Sequence, residues 1–329
     1  MIELKNIVRK SIADKIGDSD IIDLPIIASG MLNRIYGIKL STGQIPFVLR
    51  ERIFEDDEYG QEFAAERLAY KLFDKANVKA PKLISYEPDV YRNKFAVFEY
   101  IKGQTFDVYL KQKITVESTV IECIKNLAEQ VANIHKYHSK GFGTLDRITH
   151  SSYDASAFWE SIFEKEVIAI NKYFPESSIN LRKSIKSWIS IINNSPKELT
   201  RSCLVHGDLH FKNIVIRDEI PYLIDWECSR FRSSSYDLAQ IVQNNLGRNP
   251  VLLKHFLEFY IKSRNLEDSY MPYLKRLTSL YGYYWNIRMA NFILSSNLPV
   301  YDYFGSRQYY INFIKNSEFM ASLSQSNTT

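Results

Sequence analysis

Apolar residues first recur at helical spacing: Ile7, Val8, Ile12 and Ile16 fall along one side of a helix expected over 3–16. The pattern then shortens. "IIASGMLNRIYGIKL", "STG" and "QIPFVLRERI" are β-branched and aromatic runs broken by turn residues, and they predict three antiparallel strands turning around Gly30 and at Thr42-Gly43. A helical pattern returns in "GQEFAAERLAYKLFDKAN", where Phe63, Leu68, Leu72 and Phe73 share a face and the helix is expected to end near Asn77. "APKLISYE" and "KFAVFEYI" then read as two further strands, giving a five-stranded sheet with one helix inserted after its third strand.

Beyond Gly103 the segments are long and amphipathic, at 116–138, 156–173, 179–193, 235–246, 250–263 and 270–294, interrupted only by short strands flanking 204–225. The expected class is therefore α+β. A small lobe built on an antiparallel sheet, 1–102, is joined near Glu99–Gly103 to a larger, mainly helical lobe, 103–329. A chain of 329 residues that is 45% hydrophobic can fill both.

A net charge of +4 spread over 42 basic and 38 acidic residues is too mixed to call for a nucleic-acid partner. Cys123, Cys203 and Cys228 are odd in number and far apart, which argues against a disulfide framework and for a reducing compartment. Without a secretion signal, or an apolar run near the roughly 18 residues a bilayer requires, the reading is a soluble, cytoplasmic protein with no membrane partner.

The chemistry concentrates in "VHGDLHFKNIVI" and "YLIDWE". Strand-like ends enclose "HGDLHFKN", which suits neither a strand nor a helix, so Asp208 and Asn213 are expected on one loop. The turn candidate "RDEIP" predicts a hairpin that returns Asp225 to the side of Asn213. Phosphoryl transfer requires such a set: one carboxylate to accept the proton of an attacking hydroxyl, with an amide and a second carboxylate to hold magnesium against phosphates. Cys203, His206 and His210 are also zinc-type ligands, but no fourth ligand stands near them. His135 and His138 end a helix and are expected to meet its last carbonyls. A serine hydrolase lacks its G-x-S-x-G elbow.

At "HGDLHFKN" followed by "IDWE" the chain resembles the aminoglycoside phosphotransferase and choline kinase branch of the bilobal protein-kinase-like fold, hygromycin phosphotransferase included. The resemblance implies that Asp208 is the catalytic base, that Asn213 and Asp225 are the magnesium ligands and that His206 is structural. It also places His210 where this branch usually has histidine, which implies a nucleotide-binding residue there. Phe211-Lys212 departs from the usual Pro-Gly, and Lys212 reads as a solvated lysine. "ASGMLNRIYGI" resembles the phosphate-covering hairpin, which implies nucleotide contacts at Ser29 and Gly30. Arg50 stands where many relatives carry the phosphate-pairing lysine, and its fixed bidentate charge can serve that role. Glu66 matches the helix glutamate that pairs with it, and Glu99 and Ile101 match the hinge whose backbone receives adenine. Asp237 in "YDLAQIV" is expected as a brace for the catalytic loop, with a substrate ligand as the alternative.

The implied activity is an ATP- and magnesium-dependent phosphotransferase with an alcohol group as acceptor, GTP being the alternative nucleotide. It would act on an aminoglycoside-like antibiotic or a hydroxylated metabolite. Acidic groups able to hold a polycation are sparse: Glu227, Asp302, Glu267 and Asp268, with none in 276–300. Tyr284, Trp285 and Arg288, together with Glu227, are the candidate acceptor-lining residues, and aromatic faces there would suit a choline-like cation. "GFGTLD" resembles a segment of hygromycin-type relatives and favours a less cationic hydroxylated substrate. The alternative from a different class is a catalytically silent kinase-like scaffold, and the intact Asp208, Asn213 and Asp225 argue against it.

Overall fold

In the computed structural model Val8, Ile12 and Ile16 are buried on one side of the N-terminal segment, which breaks at Ile12 into the helices Ile2–Ser11 and Ala13–Ile16. The structure describes residues 2–29, 33–52, 60–90, 93–113, 118–151, 154–244, 246–295 and 307–315. It divides into two units, Met1–Gln130 with Phe211–Ser229, and Val131–His210 with Arg230–Thr329.

The first unit is organised by an antiparallel sheet in the order Ile21–Asp23, Asn33–Leu40, Phe47–Arg52, Asn93–Glu99 and Leu83–Val90, with Ile26–Ser29 also pairing with Asn33–Leu40. Ile21–Asp23 makes a sixth strand that the sequence pattern does not announce, because three residues are too few to show alternation. Alternation along the central strands separates two faces. Ile38, Leu49, Phe95 and Val97 pack with Val8, Ile12 and Ile16, while Ala96 and Phe98 pack with Val48, Leu83 and Tyr70 of the helix Gly60–Ala76. Arg50 lies opposite Ala96 in register, so its side chain stands on the helix-covered face.

The same unit contains the hairpin Ile214–Arg217 and Ile220–Leu223. Asp218 and Glu219 turn it with φ of 51° and 62°, the left-handed pair that two-residue hairpins favour. Gln104–Thr105 adds a third strand. Gly103 precedes it because a Cβ there would lie 2.2 Å from the Ile216 carbonyl oxygen. Gln130 fastens the hairpin to neighbouring chain, accepting from Lys79 N–H at 2.8 Å and donating to the Pro221 carbonyl at 2.6 Å.

The second unit has the expected helices, including Ala155–Asn171, Pro175–Asn193, Ser235–Asn244, Pro250–Ser263 and Met271–Ser295. Its aromatic core gathers Trp159, Phe163, Trp188, Tyr281 and Tyr284. It also has a sheet in the order Ser202–Val205, Arg230–Ser233, Gly141–Thr144 and Ile148–Ser151. The strands outside 204–225 are not anticipated by the sequence pattern. "RFRS" places arginine at alternate positions instead of an apolar run, and "GFGT" spends two of four residues on glycine.

Asp237, in the first turn of Ser235–Asn244, is fully buried and accepts the N–H of His206 at 2.7 Å and of Gly207 at 2.9 Å. Gln240, one turn on, accepts Leu209 N–H at 2.8 Å and donates to the Gly207 carbonyl at 2.7 Å. Gly207 has φ of 84°, a backbone state that suits glycine and aims successive amides at one carboxylate. His135 does not cap its own helix as expected: it is buried between Asp237, at 3.2 Å, and the Tyr260 hydroxyl, at 2.8 Å. Since the carboxylate only accepts, His135 Nε2–H donates to Asp237 and Nδ1 accepts from Tyr260. His138 instead lies 3.4 Å from the Ser202 carbonyl.

Burial holds His135 below the ordinary histidine range and outweighs the raising influence of Asp237. As pH falls below about 6.5, the unfolded chain therefore takes up protons at this ring before the folded unit does. Stability from neutral His135 is present above that pH and is lost on acidification. Thermal unfolding between about pH 8 and pH 5 should show a midpoint that falls with acid, and His135→Gln should flatten that part of the slope. Parallel slopes in the two proteins would remove His135 from the account.

Candidate active site

Arg50, 4% exposed, cannot be left unpaired at that depth. Its two terminal nitrogens meet the two oxygens of Glu66, Nη1 at 3.2 Å and Nη2 in a closer contact, and Nη1 also donates to Asp225 Oδ1 at 2.8 Å. Its guanidinium lies 5.2 Å from the Phe98 ring centre. Glu227 is 4.0 Å from Arg50 and accepts from Arg52 Nη1 at 3.4 Å and Asn33 Nδ2 at 2.9 Å. Among the described residues two guanidiniums thus face three carboxylates.

The electrostatics follow from that count. Burial alone would pull Arg50 down, but Glu66, Glu227 and Asp225 together raise it, so it stays cationic. Burial raises Glu66 against the opposing pull of Arg50, and burial with repulsion from Asp225 raises Glu227.

Asp225 reaches this cluster through an unusual backbone. It has φ of 63° and ψ of 65°, a left-handed state uncommon outside glycine, at the entry to the short turn Trp226–Cys228. Trp226 secures the turn: its ring packs 4.2 Å from Phe73, its Nε1 donates to the Leu223 carbonyl at 2.9 Å, and its N–H donates to Glu66 at 3.3 Å. Ile214 is opposite Leu223 in the hairpin and Ile224 N–H donates to the Asn213 carbonyl at 3.0 Å, so Asn213 and Asp225 occupy the same end of it. Asn213 is buried, and the Asp225 side chain is 34% exposed.

In the second unit Asp208 follows the braced His206-Gly207 pair. Its N–H donates to His206 Nδ1 at 3.3 Å, and its carboxylate is 3.5 Å from His210 Nε2. His206 is wholly buried, which agrees with a structural part in the loop. Burial pushes the Cys203 thiol up to about 12, and Sγ bonds the Arg232 carbonyl at 3.3 Å, so this cysteine is held as a thiol rather than as a metal-binding thiolate.

The remaining candidates fall in several places. Ser29 is exposed at the end of Ile26–Ser29, while Gly30 and Asp302 lie outside the described residues. Glu99 ends its strand, with its carboxylate 3.5 Å from Arg217, and Ile101 is buried just beyond. Lys212 is exposed. Glu227 is committed to Asn33 and Arg52 of its own unit. Tyr284 is buried in the aromatic core, and Trp285 and Arg288 are half-buried, with Arg288 donating to the Tyr236 hydroxyl at 3.0 Å. Sequence reasoning missed Asn33, Arg52 and Gln240. Arg52 was accessible from period two, since it shares a strand face with Arg50, and Asn33 is its register partner. Gln240 is one helical turn from Asp237.

The gentamicin complex of APH(2'')-IIa superposes at a TM-score of 0.65 with 16% identity, covering 97% of this chain and 96% of that one. A choline/ethanolamine kinase family protein from Mesorhizobium loti gives 0.64 and 15%, covering 98% of this chain and 97% of that one. The chain therefore shares their protein-kinase-like fold. Acyl-CoA dehydrogenase family member 11 of Mus musculus is 25% identical over 244 residues, which are 69% of this chain but only 27% of that protein. The chain thus spans about a quarter of the curated relative it matches. The phosphotransferase enzyme family model matches residues 23–273, a stretch that contains both the Arg50 cluster and the braced Asp208 loop, and the chain belongs to that family.

Proposed function

We propose that this phosphotransferase moves the γ-phosphoryl group of ATP, with magnesium, to an alcohol on a small molecule. The observation that carries the reading is the joint placement of Asn213 and Asp225 at one hairpin end, with Asp225 bound to an arginine that Glu66 also holds. An arginine tied only to structure would need one carboxylate. Arg50 bonds two, and one of them is partly exposed.

The donor set fits magnesium. An amide oxygen and a carboxylate are hard ligands, and Asp225 brings its negative charge to a partly exposed position. Among the described residues no group of three or more His, Cys, Asp and Glu comes together to hold a metal; Asn213 and Asp225 would hold an ion together with phosphate oxygens. Magnesium, when bound, supplies positive charge to the nucleotide phosphates.

The chain's own residues do the rest. Arg50 offers a fixed fork to phosphate oxygens, and Ser29, Gly30 and the backbone at Glu99 and Ile101 would receive the nucleotide. Asp208 accepts the proton of the acceptor hydroxyl as its oxygen bonds to the γ-phosphorus and the bond to the β-bridging oxygen breaks, leaving ADP and a phosphate ester. His210 fixes the Asp208 carboxylate, and the Asp237–Gln240 brace fixes the backbone that carries it.

Two measurements test this. Asp208→Asn should lower ADP formation with alcohol acceptors by about 10²-fold or more while leaving nucleotide binding near wild type, and full turnover in that variant would sink the assignment. Thermal shifts with ATP and GTP, each with and without magnesium, should show stabilisation of about 2.7 kcal/mol at nucleotide a hundredfold above its Kd. The shift should depend on magnesium and be lost in Asp225→Ala. No shift with either nucleotide would favour a catalytically silent scaffold.

A further inference from the structure

Asp237 and Arg264 are both buried in the second unit, and two neutral side chains stand between them. Arg264 closes the helix Pro250–Ser263 and donates from Nη1 to the Tyr260 hydroxyl at 3.2 Å, while its Nη2 donates to the Glu198 carbonyl at 3.2 Å. Tyr260 in turn donates to His135 Nδ1 at 2.8 Å, and His135 Nε2–H donates to Asp237 Oδ2 at 3.2 Å. That oxygen also accepts the His206 N–H, and Oδ1 accepts the Gly207 N–H. A buried guanidinium is thus joined, by hydrogen bonds in series, to the peptide groups just before Asp208.

The series has one direction. Asp237 takes the Nε2 proton of His135, which leaves Nδ1 of the neutral ring as an acceptor. Tyr260 must then give its proton to Nδ1, and its oxygen is left to accept from Arg264, which only donates. Burial pushes the Tyr260 hydroxyl up to about 12, so it keeps the proton it donates. Bonds aligned in this way polarise one another in a low-dielectric interior, and they carry the influence of the guanidinium toward the carboxylate. The Tyr260 ring also meets His135 edge-on, 5.6 Å between centres, and restricts the imidazole a second time.

We propose that Arg264, Tyr260 and His135 are positioning residues for phosphoryl transfer: they fix the rotation of the Asp237 carboxylate, and through it the two peptide groups that set where Asp208 stands. The proposal rests on the phosphotransferase reading and adds three buried side chains to its machinery. A carboxylate torsion is broad when nothing restrains it, and only a narrow part of its range lets Asp237 hold both amides at once. Gly207, at φ of 84°, has no side chain to lock the joint from its own side. A displacement of about 1 Å in a catalytic group costs on the order of 10²-fold in rate, so the series governs turnover without meeting a substrate.

Tyr260→Phe removes one hydroxyl and keeps the ring. Amide hydrogen exchange, read by mass spectrometry on the full chain, should be about tenfold faster over 204–210 in that variant, the scale of one lost buried hydrogen bond, with 214–223 unchanged. Arg264→Gln should act in the same direction, and the double variant should match the faster-exchanging single one; effects that multiply would overturn the series. His135→Gln keeps a donor for Asp237 and should stay near wild type. ADP formation from magnesium ATP, with glycerol or water as acceptor, should show kcat about tenfold lower in Tyr260→Phe and KM for ATP unchanged. Unchanged exchange over 204–210, faster exchange throughout the chain, or a lower unfolding midpoint with kcat unaltered would overturn the proposal. Absence of ADP formation by the wild-type protein with every acceptor would instead strike the phosphotransferase reading, and exchange over 204–210 would then decide by itself: faster in Tyr260→Phe upholds the positioning of the loop, unchanged overturns it.

Discussion

Burying the Arg50 guanidinium sets the terms for the first unit. A charge at that depth costs several kcal/mol unless partners meet its donors in good geometry, and the unit's elements are arranged to supply them. The strand Phe47–Arg52 delivers Arg50 to the face opposite the Val8–Ile12 core, the helix Gly60–Ala76 delivers Glu66, and the hairpin delivers Asp225. Remove any one and the others are left as buried or half-buried charge. The left-handed backbone at Asp225 is tolerable on this account. The strain of a non-glycine residue there is on the order of 1–3 kcal/mol, which the ion pair and the anchoring of Trp226 offset.

A comparable constraint acts on the second unit through backbone groups instead of side-chain charge. The chain around His206 leaves the strand before any helix can satisfy its amides, and a buried N–H without an acceptor costs about 1–3 kcal/mol. Asp237 and Gln240 satisfy three amides and one carbonyl from adjacent turns of one helix. Asp208 inherits its position from that arrangement. Its side chain lies 3.5 Å from His210 Nε2, with 29% of its surface exposed.

How much of this could be read from the chain depends on the range of the signal. The central strands and long helices were legible because alternation and helical spacing are local, and the hairpin was legible because "RDEIP" interrupts two apolar runs. Arg50 with Glu66, and Asp225 with Asn213, were approachable through the family resemblance. The Asn33–Arg52–Glu227 network was not, since it joins residues 194 positions apart whose types suggest ordinary surface. His135 was misread for the same reason: its place at a helix end pointed to local carbonyls, while its partners Asp237 and Tyr260 come from helices far along the sequence. "RFRS" concealed a strand because its outward residues are charged.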